Sequence, residues 1–213
     1  MMSLFLWYRN DRYDRVLSAF VFSLGMVQLI EYGVHNSANP DQAGRALFVV
    51  LWFQCFVLSL GTYLFIRSSI NNHAPTLMEE ISLGISRGSL LLFSLFFFAA
   101  LCFSIIPGNN FSGTPGNSGY IEWMLNEKPL FGNWAWLYLA GIFLPLFLIF
   151  SYYSCTNIRM AVLIAYSIFS VVYAALNYNS RVFSSSWCYL SLGFAFVAFF
   201  MGIIPPETDA FSL

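Results

Sequence analysis

Side chains able to do chemistry are few in this chain, and most of them sit inside long apolar runs. Of its 213 residues only 9% are charged, against 59% hydrophobic and 20% aromatic. Polar groups in such runs are expensive to bury and normally face a protein interior or a water-filled cavity. Gln28, Glu31 and His35 fall at i, i+3 and i+7, within about 60° on one face of a helix that turns about 100° per residue. Glu31 is the most informative of them. It lies about 24 Å along that helix from Arg15, in the outer third of a bilayer about 30 Å thick, where a carboxyl can hold a proton or pair with a cation. The same group can also be a hydrogen-bonded structural carboxyl.

Gln54 stands about nine residues beyond Arg45 and comes level with Gln28 in an antiparallel helix pair, so an interhelical amide bond is expected. Such bonds contribute about 0.6 to 2 kcal/mol and can fix helix register with no other role. Farther along, Tyr166, Ser170, Tyr173 and Asn177 repeat at i, i+4, i+7 and i+11, a polar stripe expected to face inward, although tyrosines are also good packing material. The stripe continues into Asn179, Arg181 and Ser184-Ser185-Ser186-Trp187, with Ser191 one turn after Trp187. Arg181 is the natural partner for Glu31. Together these residues predict an outward-opening polar cleft with a carboxylate near its mouth.

Soluble-style catalysis has a poor inventory here. His35 and His73 are the only imidazoles and lie near opposite expected faces, and no HExxH, GxSxG, P-loop or GxGxxG pattern occurs. The four cysteines, Cys55, Cys102, Cys155 and Cys188, form no CxxC pair and read as small buried hydrophobes. No metal and no cofactor is expected. A net charge of −1 without a basic block excludes nucleic acid as a partner.

The elements that must position these residues are apolar helices. Crossing about 30 Å of hydrocarbon takes about 20 apolar residues with every backbone group paired. Six stretches qualify, near 16–34, 46–66, 90–106, 134–153, 160–176 and 187–204, which predicts an all-α, polytopic transmembrane helical bundle in a single domain over 1–213. Asn39-Pro40, Ala74-Pro75, Pro107-Gly108, Pro129 to Gly132 and Pro205-Pro206 punctuate the spans, while Pro145 lies inside the fourth and should kink it. The fourth span has almost no polar atom between Tyr138 and Ser151 and is expected to face lipid. Trp134, Trp136, Trp187, Tyr152 and Tyr153 stand at span ends, as interfacial anchors do.

Before Arg9 the apolar run is too short for a secretory core, so the first span is expected to act as an uncleaved insertion signal. Arg9, Arg12, Arg15, Arg67, Arg87 and Arg159 on the N-terminal side, against Arg45, Lys128 and Arg181 on the other, predict both termini in the cytoplasm. Thr76-Leu77-Met78-Glu79 reads as a capping box that starts the third helix upstream of its span and makes it about 45 Å long. Gly84 and Gly88 give it a GxxxG spacing, read as a packing feature. In the long loop 107–133, Ile121, Trp123, Met124 and Leu125 alternate with charges, as in a segment lying along an interface, and Asn110-Phe111-Ser112 is a glycosylation sequon if that loop meets a eukaryotic lumen.

Two blocks, RNDRYDRVLSAFVFSLGMVQLIEYGVHN with Gln28, Glu31 and Tyr32, and SSSWCYLSLGF with Trp187 and Cys188, resemble an uncharacterised polytopic membrane protein family of large DNA viruses of algae and protists. The chain differs from that pattern in lacking a complete span before Arg9. The resemblance implies a multi-pass helical fold and marks Gln28, Glu31, Trp187 and Cys188 for joint testing; it implies no activity.

The function these features predict is a channel or carrier for protons, cations or a small polar solute. Glu31 would be its charged site, Gln28, Gln54, Tyr173 and Asn177 would line the path, and Arg181 would tune it. The alternative is a non-catalytic accessory or scaffold subunit, whose 24 phenylalanines bind neighbouring helices, lipid or pigment. The lipid bilayer is the expected partner, with a homo-oligomer or a larger membrane assembly as further contexts.

Overall fold

Asn39 and Pro40 show how local chemistry builds the longest element. The Asn39 side-chain oxygen accepts from the Asp41 and Gln42 amides, and Pro40, which has no amide to orphan, takes the first helical position. A pair that reads as a stop therefore starts a helix six residues before Ala46. A computed structural model describes residues 2–9, 14–36, 39–70, 74–106, 111–115, 121–123, 134–152 and 158–177, with 186, 190 and 193 singly.

Over those residues the chain is a helical bundle. Its helices are α1 (Met2–Arg9), α2 (Asp14–His35), α3 (Pro40–Ile70), α4 (Leu77–Ile105), α5 (Trp134–Tyr152) and α6 (Ile158–Asn177). A short antiparallel pair, β1 (Gly113–Pro115) and β2 (Ile121–Trp123), stands between α4 and α5, with Thr114 opposite Glu122. Helices α3 and α4 are each long and apolar enough to cross a membrane. The sixth expected span lies outside the described residues except for Leu190 and Gly193, which are helical, as is Ser186 just before it.

The capping box opens α4 as its spacing predicts. Thr76 accepts from the Glu79 amide at 3.4 Å, and the Thr76 amide donates to the Glu79 carboxylate at 2.7 Å. The resulting helix of 29 residues is about 43 Å long at about 1.5 Å per residue. The GxxxG expectation fails: Gly84 and Gly88 are exposed with no atom near enough to pack on them, and Ser86, Ser89, Phe93 and Ala100 form the inward face instead.

Helix α3 is the hub, packing against α2, α4 and α5. Trp52 stacks on Phe96 of α4 at 4.9 Å between ring centres and meets Tyr138 of α5 edge-on at 6.4 Å. Phe53 and Phe56 lie against Phe97 at 5.6 and 5.5 Å, so aromatic rings close the α3–α4 seam. The apolar N-terminal segment does not trail: α1 folds onto α2, where the Ser3 hydroxyl donates to the Ser18 carbonyl and the Ser18 hydroxyl to the Ser3 carbonyl, at 2.9 and 2.7 Å.

The fourth expected span corrects a second expectation. It does not turn its apolar surface outward; α5 buries Tyr138, Gly141, Ile142, Pro145, Leu146, Leu148 and Ile149, mainly against α3 and α4. Gly141 makes this approach feasible, since a Cβ there would stand 2.6 Å from the Cys55 sulfur and 2.7 Å from the Phe93 ring.

The start of the long loop also goes inward. Phe111 and Ile121 are buried, and β1 lies against both α2 and α3. Gly44 admits the chain there, because any side chain would collide with the Phe111 backbone. Ile121 thus belongs to the core and not to an interfacial segment; Asn110 and Met124 to Asn133 lie outside the described residues.

Candidate functional site

Helix α2 turns one ridge toward the bundle, through Phe20, Leu24, Val27, Glu31 and Val34. The i, i+3/i+4 spacing of that ridge places Glu31 on it, one turn from its Val34 end, 7% exposed. Gln28 sits at its flank, half-buried, and its amide donates to the Glu31 carboxylate at 3.5 Å, the long end of a hydrogen bond. His35, expected on the same face, is exposed beyond the end of the ridge. Two of the three predicted residues therefore meet, and the imidazole is not among them.

The expected amide bond between Gln28 and Gln54 is absent. Gln54 is fully buried near the middle of α3, and its carbonyl oxygen accepts from the Tyr138 hydroxyl of α5. Three further polar contacts sit deep in this part of the bundle. Cys55 donates weakly to the Tyr138 carbonyl at 3.6 Å, the Ser59 and Ser89 hydroxyls hydrogen-bond to each other at 2.9 Å, and Thr62 donates to the Pro145 carbonyl at 3.5 Å. From Gln54 to Thr62 these levels span about 12 Å of α3 and tie it to α4 on one side and α5 on the other. A pairing of this kind contributes about 1 kcal/mol, whereas stranding one of its buried groups costs about 1 to 3 kcal/mol. The spine is therefore a specificity device first: each hydroxyl fixes which residue of the next helix lies opposite.

The fifth expected span is turned relative to its prediction. Among the α6 side chains described, the buried ones are Ser167, Ser170 and Ala174, centred roughly 60° around the helix from the Tyr166–Tyr173 stripe at about 100° per residue. Ser170 stays inside, donating to the Ser167 carbonyl of its own helix at 2.8 Å. Tyr173 is 41% exposed and lies against Phe169 at 5.8 Å. Tyr166 donates to the Leu190 carbonyl at 2.7 Å, and its hydroxyl fills the space that a side chain at Gly193 would need. Between α5 and α6 runs an apolar groove of about 410 Å³, lined by Phe143, Leu144, Phe147, Ile168, Val171 and Val172. Asn177 ends α6 with its side chain outside the described residues, and Arg181 and Trp187 lie wholly outside them.

A third polar group went unnoticed in the sequence. Asp41 and Arg45, one turn apart at the start of α3, pair at 2.9 Å. Arg45 also donates to the carbonyls of Ser104 and Ile106, at 2.6 and 3.1 Å, where α4 ends with unsatisfied oxygens. The other Asp41 oxygen accepts from the Phe111 amide at 3.0 Å, and the Arg45 guanidinium lies 5.5 Å above the Phe111 ring. The i, i+4 spacing of an acid and a base at a helix start was the available signal. Among the described residues, no three of His, Cys, Asp and Glu converge as a metal site would require.

The chain matches no model of a known protein family, no characterised protein and no solved structure. What it does must be read from its own geometry.

Proposed function

We propose that the chain is a multi-pass membrane protein of about six spans, with both termini cytoplasmic, that moves protons, cations or a small polar solute, with Glu31 as its charged site. The observation that carries this reading is a carboxyl on the inward ridge of α2, 7% exposed and accepting from Gln28. An ionisable group held inside an apolar bundle is costly, and that cost is most readily explained by use. Gln28 orients the carboxyl, and strand β1 packs against both α2 and α3. Tyr173, out on the surface of α6, is not assigned to the path. The reading is tested by reconstitution into liposomes and flux of protons and alkali cations. Glu31→Gln is expected to abolish the flux of the wild-type chain, and equal flux from both would end the assignment.

A second reading, a non-catalytic scaffold within a larger membrane assembly, is favoured by a separate observation. The polar groups along the middle of α3 are mostly taken up by α4 and α5, while α4 exposes Leu91, Leu95 and Phe98 along its outer face. Purification in mild detergent separates the two readings. A stable hetero-assembly supports the scaffold, and an isolated particle that conducts after reconstitution supports transport.

A further inference from the structure

The groove between α5 and α6 is walled by hydrocarbon. Its lining side chains carry no donor or acceptor, and Phe147, Ile168 and Val172 are exposed along its open side. A site for a polar molecule places a few polar groups to orient it, and these walls offer none. Height narrows the choice further. Phe143 is the middle residue of α5, Ile168 is the eleventh of the 20 residues of α6, and the one charged residue in the two helices is Arg159, in the first turn of α6. On the membrane reading proposed above, on which this inference rests, both walls stand level with the middle of the hydrocarbon layer, beyond the reach of headgroups and water.

Three occupants could fill such a place: another part of this chain, a second copy, or lipid. The described residues of the sixth expected span lie elsewhere. Leu190 and Gly193 meet α6 at Tyr166, about 170° around that helix from Ile168, Val171 and Val172. A helix of a second copy is too broad to enter, being about 10 to 12 Å across with its side chains, whereas the lining runs from Phe143 to Phe147 and from Ile168 to Val172, only about 6 Å along each axis. A methylene chain is slim and flexible enough. Within a bilayer it gains nothing by leaving water, so contact must hold it. A groove of about 410 Å³ left empty forfeits the dispersion energy of its walls, and two helices touch a chain on more sides than one convex helix face does.

We propose that the α5–α6 groove is a lipid site, which holds one acyl chain of a bilayer phospholipid while the headgroup stays at the interface. The chain completes the seam between the two helices. It differs in this from lipid along the outer face of α4, which meets Leu91, Leu95 and Phe98 on one side alone and exchanges freely. The site requires the chain to span a membrane but does not require transport through Glu31.

The test is photolabelling of the full chain, reconstituted into phosphatidylcholine bilayers that contain phosphatidylcholine with a diazirine at the middle of one acyl chain. Labelled peptides are mapped by mass spectrometry after photolysis in the bilayer, and again after exchange into mild detergent before photolysis. Label is expected on both the groove and the outer face of α4 in the bilayer. Detergent exchange is expected to lower the α4 label at least tenfold and the groove label less than twofold. Val172→Trp fills the groove from a half-exposed position and is expected to bring its retained label down to that of α4; should the variant fail to fold, the wild-type ratio decides. Groove label that washes out together with that of α4 overturns the proposal. So does a groove unlabelled in the bilayer beside a labelled α4, the result if a second copy or the rest of this chain covers it. Absence of label from α4 as well removes the membrane reading itself, and the lipid site with it.

Discussion

Helices α5 and α6 invert what their side chains suggest. Helix α5 is almost devoid of polar groups along its length and nevertheless belongs to the core, against α3 and α4. Helix α6 carries a regular row of hydroxyls and an amide, yet it leaves Ile168, Phe169, Val172, Tyr173 and Leu176 exposed. Where nearly every side chain is apolar, hydrophobicity cannot choose a face. Close approach chooses it, and Gly141 and the Pro145 carbonyl, which accepts from the Thr62 hydroxyl of α3, provide that approach.

The sharpest way to break this contrast is Gly141→Val. Branched carbons would stand where the Cys55 sulfur and the Phe93 ring already are, and overpacking of that kind is expected to cost about 3 kcal/mol. Thermal unfolding in detergent, followed by tryptophan fluorescence, measures it, and an unchanged midpoint would take α5 out of the core. Tyr138→Phe comes next, because it strips the buried Gln54 amide of its side-chain partner, for an expected loss of about 2 kcal/mol in the same assay. On α6, Ala174→Leu forces a larger side chain into the buried edge beside Ser167 and Ser170, with an expected loss of about 1 kcal/mol. Tyr173→Ala is expected to shift stability by less than about 0.5 kcal/mol, as at an ordinary surface position. Gly88→Ala is expected to gain about 0.5 kcal/mol through helix propensity alone, since nothing on α4 meets the added carbon. A large loss at Gly88 would show that a second chain packs there.

Much of the helical layout could be read in the residues. Thr76 and Glu79 act over three positions of backbone, so their pairing is local and was fully legible. Glu31 was legible too, because a charge among apolar neighbours is conspicuous and helix geometry then places it. The partner of Gln54 was not, since amide bonding depends on helix rotation and depth, which an antiparallel count estimates only to within a turn. Tyr138 supplied the missing hydroxyl from a helix whose composition pointed to lipid. The turned face of α6 has the same origin: a hydroxyl stripe and a serine–alanine edge lie one residue apart, and packing against neighbours selected the smaller side chains.

Asp41 and Arg45 have a kinetic consequence. A single turn of α3 grips the closing carbonyls of α4 with one side chain and the Phe111 amide, two residues before β1, with the other. Hydrogen exchange should therefore find the last turn of α4 and the strand pair opening as one cooperative unit, at a shared rate, although they belong to different kinds of secondary structure. Arg45→Ala would split that unit, leaving each part to exchange on its own clock.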